Sequence, residues 1–163
     1  MKYKLIVSLL CILSTFSVMS EPVSYQAFDK EGFYAVMASG NIARIDTELE
    51  LVRNASFTEK DAYEGALLMR KSGLLKKAAD KLKVFKAGRM KFDPAIRDDA
   101  DNAEYRFLRL SIQEHAPRVV KYYKDQENDK QFIQDNFKTL PPVVQQAIRE
   151  YSKTSKVLRR EDF

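Results

Sequence analysis

Between Asn102 and Ala116 the apolar side chains fall on two opposite sides of one helix. Tyr105, Leu108 and Ile112 recur at steps of three and four, while Phe107 and Leu110 lie almost opposite them. A helix patterned this way has no face to give to water, so it must run between two other layers. The remainder of the chain supplies those layers as helices. After Gln26 the apolar spacing follows threes and fours throughout, and no run alternates apolar and polar residues as a strand would. The pattern predicts an all-α fold of seven or eight short helices in antiparallel, hairpin-like succession. No linker is long enough to divide it, so residues 29–152 form one helical domain.

Individual elements follow from stripes and punctuation. Asp29 can cap a first helix through Ala38, with Phe33, Tyr34 and Met37 inward and Ser39-Gly40-Asn41 as the turn after it. Ile42, Ile45, Leu49 and Val52 make a second stripe, with Arg44, Glu48, Glu50 and Arg53 outside it. Thr58 and Asp61 resemble a capping box for a third helix that Gly73 closes. A fourth is expected from Leu74 to about Lys91 with Leu75, Ala78, Leu82 and Phe85 inward, and Asp93-Pro94 reads as a fresh helix start. Pro117 restarts the chain into Val119-Val120 and Tyr122-Tyr123. A polar turn is expected within Asp125–Lys130, and Phe132, Ile133 and Phe137 mark another helix. Thr139 and Pro141-Pro142 launch the last one, with Val144, Ala147, Ile148 and Tyr151 inward, and residues 153–163 read as a charged, frayed tail.

The first 20 residues have the three regions of an export signal in order: Lys2 and Lys4, the apolar run Leu5–Leu13, and Val18-Met19-Ser20 ahead of a cleavage point before Glu21. Ser14, Thr15 and Ser17 interrupt the run short of the roughly 20 apolar residues that a spanning helix needs. Removing residues 1–20 from the 163 leaves 143, enough for one core without staples. The only cysteine, Cys11, leaves with the signal, so disulfides cannot contribute. Lys2 and Lys4 leave too, so 26 of the 28 basic residues face 23 acidic ones, a net charge of +3. That mild excess permits contact with anionic lipid or polysaccharide. Residues 21–28 read as a short extended lead-in.

Two resemblances bear on setting and packing. The blocks Glu104-Tyr105-Arg106-Phe107-Leu108-Arg109-Leu110, Gln113-Glu114-His115-Ala116-Pro117 and Leu140-Pro141-Pro142-Val143-Val144-Gln145-Gln146-Ala147-Ile148 resemble a family of small exported proteins of Gram-negative bacteria. That resemblance implies export and an envelope setting, and it transfers no functional residue. Ala66 and Ala78 with Gly73 between them resemble the small–turn–small spacing of a tetratricopeptide helix pair, and Asp101–Tyr105 resembles the start of a following unit. Lys91–Asp98 breaks the repeat period of about 34 residues. The likeness therefore implies hairpin packing rather than a repeat array.

Catalytic chemistry is poorly supplied. Nucleophilic catalysis needs a nucleophile beside a base, and beyond the signal there is no cysteine and a single histidine, His115. His115 follows Ile112 by three, which predicts a ring at the core edge bonded to backbone. One histidine cannot build a zinc site. Counted as a calcium loop from Asp99, the sixth and twelfth positions are Glu104 and Leu110 where glycine and glutamate are required. The glycines are isolated, so no phosphate loop exists and no cofactor is expected. A carboxylate pair acting on glycan needs only two acids, and the sequence singles out none.

Charge is the strongest local signal. From Arg70 to Lys91 nine basic residues face one acid, Asp80, and a helical projection puts Lys76, Lys77, Lys83 and Lys91 on one outer face. Such a face can hold lipid head groups, anionic polysaccharide or an acidic envelope protein. Nucleic acid is excluded as a partner, because an exported protein rarely meets it and no reading motif is present. The expectation is an exported, periplasmic or secreted, non-enzymatic binding or scaffold protein. The alternatives are a helical carrier of an apolar ligand, which Phe85, Phe92, Tyr105 and Phe107 would allow, or a carboxylate-based glycan hydrolase.

Overall fold

Asp29 opens the first helix as its spacing predicts, its carboxylate accepting from the Gly32 N–H at 3.0 Å. The structure, a computed structural model, describes residues 28–116 and 120–163. The expected signal segment, the expected lead-in up to Ala27 and Pro117–Val119 lie outside the described residues. Seven α-helices follow: α1 (Lys30–Ser39), α2 (Ile42–Asn54), α3 (Lys60–Leu74), α4 (Ala78–Asp98), α5 (Ala103–His115), α6 (Gln126–Asn136) and α7 (Pro142–Ser152). There are no strands among the described residues, and the class is all-α. Gly40 ends α1 in the left-handed region at φ 60°, and Asn41 then caps α2 through the Arg44 N–H.

α5 is the sandwiched helix that its two-sided pattern demands. Tyr105, Leu108 and Ile112 pack into one apolar cluster with α1, α2, α3 and α4. Ala103, Phe107 and Leu110 pack into a second cluster with α6, α7 and Leu158. Fully burying a side chain of this size contributes about 1.5–3 kcal/mol, so both faces of α5 hold the domain together. Its N-terminus is fixed by charge. The buried Glu104 carboxylate accepts from Lys30 Nζ at 2.7 Å, Tyr34 OH at 2.9 Å and Tyr63 OH at 2.6 Å, tying α5 to α1 and α3. Burial first, then the Glu104 charge, raises both tyrosines, so each hydroxyl keeps its proton and donates.

α3 and α4 form an antiparallel hairpin whose backbones meet at two glycines. A Cβ placed on Gly65 would stand 2.8 Å from the Gly88 carbonyl oxygen, and one on Gly88 would stand 2.7 Å from the Gly65 oxygen. Ala66 is buried at this seam but Ala78 is exposed, so the close approach is not the Ala66–Ala78 contact of a tetratricopeptide pair. The inward face of α4 is Phe85, Gly88, Phe92 and Ile96, and Leu82 is exposed, contrary to the expected Leu75–Ala78–Leu82 stripe. The stripe failed because the chain breaks at Leu75–Lys77 and restarts in a different phase. No side chain caps α3, so the Thr58–Asp61 box does not form either.

Further expectations are corrected by tertiary packing. α4 runs through Pro94 instead of restarting there. The Asp93 carboxylate is taken up by Arg89 at 2.9 Å and Tyr122 OH at 2.9 Å, which leaves it no role as a cap. The carbonyl that Pro94 cannot serve belongs to Met90, whose side chain is exposed. The polar stretch turns at Lys124–Asp125 but is helix from Gln126 on, with Asp129 fully buried against Arg109, at 2.5 and 2.6 Å, and Arg106. Glu48 faces inward and is buried. The tail is packed: Leu158 is fully buried, and Phe163 lies on Phe137 with ring centroids 4.7 Å apart.

The glycine seam gives a paired expectation. Gly65→Ala forces two helix backbones apart and should cost about 1–3 kcal/mol through overpacking. Gly73→Ala meets nothing within 4 Å, and should stabilise α3 by up to about 1 kcal/mol. Denaturant midpoints of the two variants measure both, and equal effects would show that the seam is not tight.

Candidate functional site

Three helices enclose the principal cleft. α5 supplies its floor with Phe107, Leu108 and Ile112; α1 supplies Tyr34 and Met37; α7 supplies Val143, Ala147 and Tyr151. Its volume is about 720 Å³, within the range of small-molecule sites. The walls are mainly apolar because they are the outer margins of the same two stripes that bury α5. At one side stands Arg70 of α3, whose Nε donates to the Met37 carbonyl at 2.8 Å. Among the described residues no carboxylate lies within ion-pair distance of Arg70. Burial lowers its guanidinium from the ordinary value, with the Tyr151 hydroxyl partly opposing that shift. Arginine nevertheless stays a cation, so this wall holds a positive charge whose only hydrogen bond among the described residues is to a backbone oxygen, while the carboxylates Glu31 and Glu150 line the cleft elsewhere.

Tyr151 joins this wall to a polar end. Its hydroxyl donates to Glu114 Oε2 at 2.8 Å and lies 3.4 Å from His115 Nδ1. Burial, then that hydrogen bond, raises the Tyr151 hydroxyl, so it remains a donor. His115 bonds the Ser111 carbonyl at 3.0 Å, the expected backbone partner, but the ring is exposed rather than at the core edge. The residue sits at the last position of α5, where the core has ended.

Glu114 anchors the tail beside the cleft. Ser155 Oγ donates to it at 2.6 Å and the Lys156 N–H at 2.5 Å. Burial alone would raise the Glu114 carboxyl; the hydrogen bonds from Ser155, Lys156 and Tyr151, with the nearby His115, outweigh it and hold the group below its ordinary 4.5.

The four lysines singled out by the sequence do not stay together. Lys76, Lys77 and Lys83 are exposed, the first two in the α3–α4 turn and the third on α4. Lys91 is instead turned onto α3, pairing with Asp61 at 2.8 Å and the buried Glu64 at 3.0 Å. It belongs to the hairpin seam, because the helix begins at Ala78 and not at Leu74. Sequence reasoning passed over Arg70 as one cation in a basic run, and nothing in the local pattern marks it. Its isolation from carboxylates is a tertiary fact.

A carboxylate with a raised pKa exists in Glu48, through burial first and the charge of Asp29 second. Neither group lines either of the two cavities described. Among the described residues no cluster of three or more His, Cys, Asp or Glu could hold a metal ion, and no helix is long and apolar enough to cross a membrane. No family model, curated protein or solved structure matches the chain.

The depressed Glu114 carboxyl makes the tail acid-sensitive. A lowered folded value means that its stabilisation is complete above 4.5 and is lost as pH falls through the lower, folded value. The Lys156 amide resonance, followed by NMR against pH, should therefore titrate with a midpoint below 4.5, and Glu114→Gln should abolish the transition. A midpoint at or above 4.5 would contradict the hydrogen-bonded anchor.

Proposed function

We propose that this chain is a non-enzymatic binding protein of the cell envelope, and that its cleft takes a small amphiphilic anion. The ligand's apolar body lies over Phe107, Leu108, Ile112 and Ala147, and its carboxylate meets Arg70. One observation carries this: Arg70 is a half-buried cation on an apolar wall, with no carboxylate paired to it among the described residues. Desolvating a charge without a counter-charge is costly, and an incoming carboxylate offsets that cost through a bidentate pair that guanidinium geometry favours. The Tyr151 hydroxyl is committed to Glu114, so the Arg70 guanidinium is the cleft group that meets the carboxylate. An open apolar groove, in place of the enclosed cavity that a carrier would need, supports the binding protein over the alternatives open to the sequence.

The export signal and the resemblance to exported Gram-negative proteins support an envelope setting. Lys76, Lys77 and Lys83 offer a charged turn by which the same protein can associate with anionic lipid or polysaccharide, with Lys91 no longer part of that face.

Isothermal titration with dodecanoate and with dodecanol tests the cleft. The mature protein should bind dodecanoate more tightly than dodecanol. Arg70→Gln should weaken dodecanoate about 10- to 100-fold, since a hydrogen bond to a charged group contributes about 1.5–3 kcal/mol, while leaving dodecanol unchanged. Equal affinities of the unaltered protein for the acid and the alcohol would overturn the role of Arg70.

A further inference from the structure

A second cavity, about 540 Å³, opens where the end of α4, the middle of α5 and residues 121–125 meet. Six cations line it, Arg89, Arg97, Arg106, Arg109, Lys121 and Lys124, against the two carboxylates Asp93 and Asp125. Most of the arginines are already committed. Arg89 holds Asp93, and Arg106 and Arg109 hold the buried Asp129 behind the wall. Lys121 and Lys124 are exposed and make no ion pair among the described residues.

Positive charge alone would mark a solvated rim, but one wall is not a rim. Gln113 lines the cavity with only 3 % of its surface exposed, and its Oε1 has no hydrogen-bond partner among the described residues. It is the one such buried side-chain atom found among them. A buried amide left unpaired is costly and uncommon in folded proteins. Its chemistry is that of a group awaiting a ligand that donates as well as accepts. A bare oxyanion meets the lysines and cannot donate to Gln113; a hydroxyl can do so.

The third wall is aromatic. Lys121 takes a left-handed φ of 50°, and the next two tyrosines part: Tyr122 turns inward onto Asp93 and Phe85, while Tyr123 remains 51 % exposed and lines the cavity. An exposed tyrosine ring is an amphipathic contact surface of low entropy cost. We propose that this cavity binds a sugar bearing an oxyanion, phosphate or carboxylate. Its hydroxyls pair with the Gln113 carboxamide, its ring lies on Tyr123, and its charge meets Lys121 and Lys124. The site is separate from the α1–α5–α7 cleft, and shares no lining residue with it.

Isothermal titration with glucose 6-phosphate, glucuronate, glucose and sulfate, an oxyanion without a hydroxyl at neutral pH, tests this on the mature protein. At least one of the two anionic sugars should bind about 10-fold or more tighter than glucose and than sulfate, and which of the two does so identifies the oxyanion. Gln113→Leu should remove most of that margin while leaving the weak binding of sulfate as it was. Should Gln113→Leu not fold, Tyr123→Ala, an exposed change, is expected to lower sugar affinity in the same selective way. Lys121→Gln with Lys124→Gln should weaken both anionic sugars and their salt dependence. Sulfate binding as tightly as the anionic sugars would reduce the cavity to a charged patch and overturn the proposal. So would the absence of binding by either anionic sugar at millimolar concentration.

Discussion

Every layer of this domain is referred to α5, because α5 has no solvent face. Its two apolar sides close two separate clusters, one built from α1 to α4 and one from α6, α7 and the tail. Apart from α5, the two clusters are bridged by Tyr34 of α1, which packs against both. The Glu104 carboxylate then sets the angle at which the first layer meets α5, through one lysine and two tyrosines drawn from α1 and α3. Breaking a buried charge pair of this kind by deleting one partner costs about 3–5 kcal/mol, comparable with the loss of a large core side chain.

The second layer repeats the device. Asp129 of α6 is buried only because Arg106 and Arg109 project from the polar edge of α5. Glu114, one turn beyond, takes the tail's Ser155 and Lys156. Carboxylates at both ends of α5, and one opposite its middle, thus convert a two-sided apolar helix into a helix with a fixed rotation and register. The clefts follow from that rotation. Where α1 and α7 converge on the same stretch of α5, Phe107 and Ile112 floor a groove between them.

Legibility in the sequence tracked the range of the forces involved. Asp29 caps its helix through the N–H group three residues on, and such local chemistry is visible in a single chain. The α2 and α5 stripes were visible for the same reason. Pro94, Glu48, Asp129 and the tail were misread because their partners come from elsewhere. Asp93 looked like a cap until Tyr122 and Arg89 claimed it, and Asp129 looked like a solvated turn until two arginines buried it. The site shows the limit most plainly. Arg70 and Lys91 are both cations of one basic run; tertiary placement gives Lys91 two carboxylates and Arg70 none. No spacing rule separates them.

The central claim is that the isolated Arg70 marks a groove built for an amphiphilic anion. The most direct measurement is an NMR titration of the ¹⁵N-labelled mature protein with dodecanoate, read at every assigned amide. The expected result is saturable shifts at Arg70, Ser111, His115, Ala147 and Tyr151, with Lys83 and Tyr123 unmoved. Shifts confined to the lysine turn or to residues 121–125, with the Arg70 and Ser111 amides still, would contradict it.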